Sequence, residues 1–287
     1  MSARPFSSRF LLGGDLPVKR IGFGALQVSS HGWQGPPRDP HAGRTVLRRA
    51  IELGVDHIDT ADYYRSGDES VAANDLIRQA LSPYPPELAI AVKVSPAFGP
   101  GGVWETPDGD LRSQVRANLR SLGVDRLDLV YLRAGTTSVP HGQSLAAEFE
   151  VLAELREAGL IRHLGLSNID VGHLTEARAI APVAAVQNHF QVTERSEDAV
   201  LAACEDADIA FVPFFPLGGH RTDHTAALAD IADRHGATPT QIGLARLLAL
   251  SPVTLAIPGT GSVAHLEENM GAASIVLTDE ELAELGR

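Results

Sequence analysis

The sequence predicts a single-domain (β/α)8 barrel over residues 1–287, and three observations carry this prediction. A helical stretch repeatedly ends in glycine and is followed within a few residues by an apolar strand. The strands are continuous apolar runs, which is typical of parallel strands that are buried on both faces. About eight such units follow one another, and the length of the chain is ordinary for one large barrel.

The units can be followed in order along the chain. The first four predicted strands are "RIGFGAL" (20–26), "HIDT" (57–60), "LAIAVKV" (88–94) and "LDLVYL" (127–132). The next four are "LIRHLGLS" (160–167), "VAAVQ" (183–187), "IAFVPFF" (209–215) and "VTLAIPG" (253–259). An additional helix is predicted at 240–250, and the helix "SVAHLEENM" (262–270) follows the last strand. No linker or shift in composition marks a domain boundary.

Glycines mark the ends of three predicted helices. Gly54, Gly123 and Gly159 stand where a helix C-cap needs a positive φ, which glycine adopts without steric cost. The apolar residues before the first two of them recur on one helical face. These residues are Val46, Leu47, Ala50, Ile51, Val115, Leu119 and Leu122.

Composition limits the possible partners and compartment. With 24 basic and 36 acidic side chains the net charge is −12, which argues against nucleic acid or an anionic membrane as the main partner. The N-terminus has no apolar leader segment, so we expect a cytoplasmic protein, either a monomer or a small homo-oligomer. Cys204 is the only cysteine, so no intramolecular disulfide is possible, and we expect its thiol to pack in the core.

A doubly wound dinucleotide-binding fold is the alternative. The segment "GTGSVA" (259–264) fits the glycine fingerprint of such folds, but too few residues follow it to complete a βαβ unit. It is better explained as a phosphate-binding turn at a helix N-terminus, where free N–H groups favour an anion.

The carboxyl ends of barrel strands meet at one face, and polar residues occur at several predicted strand ends. Lys93 lies inside an apolar strand and needs a carboxylate partner, which Asp59 on the neighbouring strand can supply. A phenol beside this lysine, Tyr64, would have its pKa lowered toward neutrality and would exchange a proton with a carbonyl oxygen. On spacing alone, a structural Asp–Lys pair beside an exposed tyrosine is equally consistent.

Other chemistries have weaker support. His57 lies near Asp59 in sequence, but we expect its ring to point away from that carboxylate and to pack, and no metal site is predicted. His141 and His220 are candidates for a pocket rim. Neither a nucleophile elbow nor a P-loop occurs, so covalent hydrolysis and phosphoryl transfer are not indicated.

Six motifs, in order and spacing, resemble the landmarks of the aldo-keto reductase superfamily. They are "HIDTADYY", "AVKVS", "GLSN", "VQNH", "PLGG" and "IPGTGSVAHLEENM". Within the superfamily, "GPPRD", "LVYLR" and "VPFFPLGG" look most similar to the bacterial pyridoxal reductase-like branch. The resemblance covers nearly the whole chain, and it implies a (β/α)8 barrel that binds a nicotinamide cofactor, usually NADPH, without a Rossmann domain.

The resemblance also implies roles for individual residues. Tyr64 would be the general acid, Lys93 would lower its pKa, and Asp59 would pair with Lys93. The implied cofactor-binding residues are Gly24, Ser167, Asn168, Gln187, Phe214, Pro216, Leu217, Gly219, Ile257, Gly259, Thr260, Ser262, His265, Glu268 and Asn269. Among them, Ser167, Asn168 and Gln187 would hold the nicotinamide carboxamide and Phe214 would stack on its ring. The segment from Gly259 to Asn269 would surround the adenosine and its 2′-phosphate.

The sequence departs from the family pattern in two places. Arg133 stands where the superfamily usually has histidine; it can donate to a substrate oxygen but cannot relay a proton, and its fixed charge suits a phenolate or phosphate. Gly259 and His265 stand where many members have lysine and arginine, so a 2′-phosphate would rely on Thr260, Ser262, backbone N–H groups and His265. NADPH is still expected, and NADH is the alternative. A local ion pair is the alternative role for Arg133.

The predicted function is NAD(P)H-dependent reduction of an aldehyde or ketone, with a pyridoxal-like aromatic aldehyde favoured and Trp33 covering the planar substrate. A carbonyl or imine of specialised metabolism is the alternative substrate. Two other functions are considered. The protein could be a nicotinamide-sensing regulator with little turnover, or, as a third hypothesis, a metal-dependent barrel hydrolase.

Overall fold

The computed structural model describes residues 9–94, 97–98, 104–105, 111–135, 139–190, 197–214 and 226–286. The strands are β1 (Arg9–Leu12), β2 (Leu16–Lys19), β3 (Phe23–Gly24), β4 (His57–Asp59), β5 (Ala89–Val94), β6 (Ala97–Phe98), β7 (Trp104–Glu105), β8 (Leu127–Arg133), β9 (Ile161–Ser167), β10 (Val183–Gln187) and β11 (Ala210–Phe211). The helices are α1 (Leu26–Ser29), α2 (Pro40–Glu52), α3 (Ala73–Leu81), α4 (Leu111–Leu122), α5 (Ala146–Glu157), α6 (Val171–Ile180), α7 (Asp198–Glu205), α8 (Ala226–His235), α9 (Pro239–Leu250), α10 (Val263–Gly271) and α11 (Asp279–Glu284).

The central sheet is parallel and closes on itself. Seven strands are hydrogen-bonded in the order β11, β10, β9, β8, β5, β4, β3. The segment from 253 to 259 joins the two outer strands: the Leu255 N–H donates to the Phe211 carbonyl at 2.8 Å, and the Gly22 N–H donates to the Ala256 carbonyl at 2.8 Å. This segment is the eighth predicted strand, and the predicted (β/α)8 barrel is confirmed.

The glycines predicted to end helices have the expected conformation. Gly54, Gly123 and Gly159 have φ values of 83°, 69° and 79°. Each lies immediately before the short connection into the next barrel strand, so the repeated glycine marks the turn from helix back to sheet.

The interior of the barrel is filled from one end. Leu12, Leu16 and Val18 of the β1–β2 hairpin pack with apolar side chains of the barrel strands, among them Leu129 and Leu255. The hairpin lies at the N-terminal ends of the strands, where the Lys19 N–H donates to the carboxylate of Asp56 at 2.9 Å. The opposite, C-terminal end of the barrel is therefore the end at which a site can form.

Two further expectations are met in the helical layer. The additional helix predicted at 240–250 is α9, which begins with a capping box between Thr238 and Gln241. Cys204 is fully buried, and burial raises the pKa of its thiol to about 12. Within the described ranges, none of the helices combines the length and apolarity that a membrane crossing requires.

Candidate active site

Polar side chains occupy the C-terminal ends of five neighbouring barrel strands. Four strands end on a polar residue and the fifth carries one at its penultimate position. These residues are Asp59 on β4, Lys93 on β5, Arg133 on β8, Ser167 on β9 and Gln187 on β10. Because the strands are parallel and adjacent, the five side chains share one rim of the barrel.

Asp59 and Lys93 form the buried ion pair that the sequence predicts. Lys93 Nζ lies 2.5 Å from Asp59 Oδ1, and both residues are 4% exposed. The second carboxylate oxygen, Oδ2, accepts a hydrogen bond of 2.8 Å from Gln187 Nε2. Both oxygens of the carboxylate are thus engaged, which fixes the position of the ammonium group in the barrel mouth.

Tyr64 is brought to this pair by the loop after β4. Its backbone N–H donates to the Ala61 carbonyl at 3.0 Å, and its carbonyl accepts from the Ala73 N–H at 2.8 Å at the start of α3. Lys93 Nζ lies 5.0 Å from the centroid of the Tyr64 ring, and the tyrosine is buried. The structure therefore brings together the three residues of the predicted acid–base unit.

The pKa of Tyr64 differs from the sequence-based expectation. Burial raises the pKa of the Tyr64 phenol well above its usual value, the Asp59 carboxylate raises it further, and Arg133 acts against both. The expected net lowering of this pKa is wrong for this structure, because burial is the largest cause of the shift and the Asp59 carboxylate adds to it. At neutral pH Tyr64 is protonated, which is the form that can donate a proton.

Tyr131 is a residue of this site that the sequence analysis missed. It pairs with Lys93 in the β5–β8 register, and its ring centroid lies 5.9 Å from Lys93 Nζ. A Cβ at Gly165 on the adjacent strand would lie 2.6 Å from the Tyr131 ring, so the tyrosine occupies the space that this glycine leaves. A tyrosine inside the apolar run "LDLVYL" was the available signal.

Arg133 reaches across the rim from β8. Its Nη1 donates to Ser167 Oγ at 3.3 Å, and its guanidinium carbon lies 5.3 Å from the centroid of the Phe214 ring. Burial lowers the pKa of Arg133, and the neighbouring Tyr63 and Tyr64 act in the opposite direction. Arginine stays charged with such a shift, so the rim carries a fixed cation close to the tyrosine hydroxyl groups.

Three aromatic rings form one wall beside the acid–base unit. The Trp33 ring centroid lies 6.0 Å from that of Tyr64, edge to face, and 6.2 Å from that of Tyr63. The Tyr63 and Tyr64 rings are 5.4 Å apart and nearly perpendicular. Trp33 therefore contacts the predicted catalytic tyrosine, and Tyr63 packs against both rings.

The residues predicted to hold a carboxamide lie at the ends of β9 and β10. Ser167 and Gln187 are buried, and Asn168 follows Ser167 with a φ of 61° in the left-handed region. Asn168 is held there by its Nδ2, which donates to the Ala134 carbonyl at 2.8 Å, and by its N–H, which donates to the Gln187 carbonyl at 3.1 Å. A non-glycine residue fixed in this region is typical of functional sites.

A second group of predicted residues lies along α10 and along residues 253–259, the segment that closes the barrel and is called the closing segment below. Gly24 and Gly259 face each other, and a Cβ on Gly259 would lie 2.6 Å from the Gly24 carbonyl oxygen. Thr260 is buried and accepts the Ser262 N–H at 3.1 Å, and Ser262 is the N-cap of α10. The segment "GTGSVA" is therefore the turn into a helix N-terminus that the sequence predicts.

The remaining residues of this group have different surroundings. His265 is exposed on the first turn of α10, whereas Asn269 is buried and Ile257 lines the barrel interior. Glu268 Oε1 accepts a hydrogen bond of 2.6 Å from Thr238 Oγ1, which ties it to the start of α9. This contact gives Glu268 a structural role in addition to the predicted one.

Of the two histidines proposed for a pocket rim, the structure describes His141. Pro216, Leu217, Gly219 and the rim candidate His220 lie outside the described residues. His141 is exposed and contacts the Asp170 carboxylate at 2.7 Å, near the start of α6.

His57 corrects one expectation about the barrel interior. His57 and Asp59 line the same cavity of about 20 Å³, so the prediction that the histidine ring points away from Asp59 is wrong. Residues two apart on a strand share a face, and the Gly22 Cα packs against the His57 ring. In the part of the chain that the structure describes, no three His, Cys, Asp or Glu side chains are grouped to hold a metal ion.

Comparison with known proteins identifies the family. The model of the aldo/keto reductase family matches residues 20–287. The chain belongs to this family. Pyridoxine 4-dehydrogenase of Escherichia coli (strain K12) is 44% identical over 97% of this chain and 97% of that protein. An aldo-keto reductase of Schizosaccharomyces pombe (strain 972 / ATCC 24843), whose name specifies NADP(+), is 29% identical over 95% of this chain and 88% of that protein.

Solved structures give the same family. A thermostable aldo-keto reductase in complex with the inhibitor epalrestat has a TM-score of 0.80 and 30% identity, covering 96% of this chain and 98% of that one. An aldo/keto reductase from Klebsiella pneumoniae in complex with NADP and acetate has a TM-score of 0.80 and 25% identity, covering 97% and 94%. The predicted resemblance is confirmed: the protein is an oxidoreductase of a family that uses NADP(H).

Proposed function

We propose that the protein reduces an aldehyde with NADPH and that Tyr64 protonates the carbonyl oxygen. One observation carries the proposal: the ring of the buried Tyr64 has the Lys93 ammonium 5.0 Å from its centroid, and Asp59 holds that ammonium at 2.5 Å. Carbonyl reduction is the chemistry of the family, and this acid–base unit stands at the barrel mouth, where substrates of such barrels bind.

The residues at the rim fit a nicotinamide cofactor. Ser167, Asn168 and Gln187 offer a hydroxyl and two carboxamides at adjacent strand ends, which suits recognition of a carboxamide. Phe214 is half-buried and offers an aromatic ring for stacking. When bound, the nicotinamide supplies the hydride that reduces the carbonyl carbon.

The opposite end of the cofactor would lie along the closing segment. The close approach of Gly24 and Gly259 leaves a backbone surface without side chains, and Thr260 and Ser262 follow at the start of α10. Leu217 and Gly219 would line the pyrophosphate, as the resemblance implies, and Pro216 would also bind the cofactor. His265, Glu268 and Asn269 would complete the adenosine end, and Ile257, which lines the barrel interior, would also contact the cofactor. NADH is the alternative cofactor.

The proton follows a short path in this proposal. Tyr64 Oη gives its proton to the carbonyl oxygen as the carbonyl carbon is reduced, and the tyrosinate then takes a proton from solvent. Lys93 lies close enough to stabilise the tyrosinate, while Asp59 and Gln187 hold the ammonium in position. Arg133 donates a hydrogen bond to the substrate but does not exchange a proton.

A pyridoxal-like aromatic aldehyde suits this site best. The fixed charge of Arg133 can pair with a phenolate, and Trp33, Tyr63 and Tyr64 offer rings to a planar substrate. The 44% identity to pyridoxine 4-dehydrogenase supports the same substrate class. A carbonyl or imine of specialised metabolism is the alternative, as is a nicotinamide-sensing protein with little turnover.

Steady-state oxidation of NADPH with pyridoxal, benzaldehyde and a simple ketone tests the proposal. We expect the highest kcat/KM for pyridoxal. Arg133→Met should lower that value by about tenfold to a hundredfold, as loss of one charge-assisted hydrogen bond implies, and affect benzaldehyde much less because it has no phenolate.

Arg65→Met is the matched control, since Arg65 is engaged locally with the Asp62 carbonyl at 2.9 Å. Equal losses for pyridoxal and benzaldehyde would contradict the role of Arg133. NADPH binding without turnover of any aldehyde would favour the regulatory alternative.

A further inference from the structure

Arg38 carries a guanidinium group that none of the roles above uses. It lies in the connection between α1 and α2, where its backbone N–H donates to the Ser29 carbonyl at 3.0 Å. Its Nε donates to the Ser30 carbonyl at 3.1 Å, and the side chain is half-buried. The direction of the side chain is therefore fixed by the loop.

The Arg38 side chain packs against the Cα of Gly261. A Cβ built on Gly261 would lie 2.5 Å from Arg38 Nε and 2.6 Å from Cζ, so any larger residue there would force the Arg38 side chain to shift. Gly261 stands two residues before Val263, the first residue of α10. The glycine thus admits a cation from a distant loop to the start of this helix.

This cation lies in an electrostatic environment that favours an anion. A helix N-terminus carries partial positive charge, which disfavours a neighbouring cation. Among the described residues, no carboxylate forms an ion pair with Arg38, and Nη1 and Nη2 have no hydrogen-bond partner there. Arg49, which also contacts α10, differs: it is paired with Glu267 at 2.7 Å and Glu52 at 3.0 Å.

We propose that Arg38 binds the 2′-phosphate of NADPH and makes the protein prefer NADPH over NADH. This inference rests on the proposed function, in which Thr260, Ser262 and the start of α10 surround the adenosine end of the cofactor. A guanidinium with both Nη groups available matches two phosphate oxygens, and it supplies the charge that Gly259 at its position cannot.

Dissociation constants of NADPH and NADH, measured by calorimetry on the purified enzyme, test the assignment. Arg38→Met should weaken NADPH binding by about tenfold to a hundredfold and leave NADH within about twofold, because only NADPH carries the 2′-phosphate. Arg49→Met is the matched control and should leave both constants unchanged, since its charge is already neutralised by carboxylates. The dependence of NADPH affinity on salt should also weaken in Arg38→Met.

Gly261→Ala is a second variant that keeps Arg38 itself. The added Cβ displaces the guanidinium, so this variant should show the same selective loss of NADPH affinity even if Arg38→Met fails to fold. Equal losses for NADPH and NADH, or no loss in either variant, would overturn the assignment. Failure of the wild-type protein to bind either cofactor would instead refute the proposed function.

Discussion

Replacing Asp59 by asparagine tests the buried ion pair on which the site is built. Asp59 Oδ1 and Lys93 Nζ are 2.5 Å apart, which corresponds to a direct attraction of about 7 kcal/mol at an effective dielectric constant of about 20. Desolvation offsets much of this attraction, and loss of one partner from such a pair costs about 3–5 kcal/mol. We therefore expect Asp59→Asn to lower the free energy of unfolding by that amount.

Urea denaturation followed by intrinsic fluorescence measures this change. The double variant Asp59→Asn/Lys93→Met removes both charges, so it should lose about 2 kcal/mol less than the sum of the two single variants. Asp62→Asn is the control, because Asp62 is half-exposed, contacts Arg65 at 3.4 Å and should cost less than about 1 kcal/mol. Additive losses, or a loss below about 1 kcal/mol in Asp59→Asn, would refute the coupling of the two charges.

Two further predictions concern the frame around the site. Arg20 is buried and donates to the carbonyls of Thr254 at 3.0 Å and Leu248 at 2.7 Å. Arg20→Met should therefore lower the free energy of unfolding in urea by about 3 kcal/mol. An unchanged midpoint of urea unfolding would contradict this. Burial lowers the pKa of His163, so below pH 7 the unfolded chain binds more protons than the folded one and stability falls as pH decreases. His163→Gln should flatten this decline between pH 7 and about pH 5 in urea midpoints; an equal slope in both proteins would exclude His163 as the cause.

The strand order and the ion pair follow from local signals in the sequence. Gly54, Gly123 and Gly159 mark the ends of helices because only glycine adopts the required backbone conformation cheaply. Lys93 stands out because a charge inside an apolar strand demands a partner, and Asp59 is on the adjacent strand. Both signals depend on residues close together in the chain or on neighbouring strands.

Other features depend on burial and on distant contacts, which the sequence does not encode locally. The predicted direction of the Tyr64 pKa shift was wrong because burial and the Asp59 carboxylate raise this pKa. The contact between Arg38 and Gly261 joins residues far apart in the chain, so no motif reveals it. The sequence analysis also left out the β1–β2 hairpin, whose strands are short and lie outside the repeated strand–helix pattern.

Single-turnover reduction of an aldehyde by the enzyme–NADPH complex tests the central claim most directly. Tyr64→Phe should slow the disappearance of NADPH by about 10²- to 10⁴-fold and leave the dissociation constant of NADPH unchanged, because it removes only the proton donor. Tyr63→Phe is the matched control, and it should keep a rate near that of the wild type because Tyr63 serves as a packing residue. Near-wild-type turnover in Tyr64→Phe would contradict the assignment of Tyr64 as the proton donor.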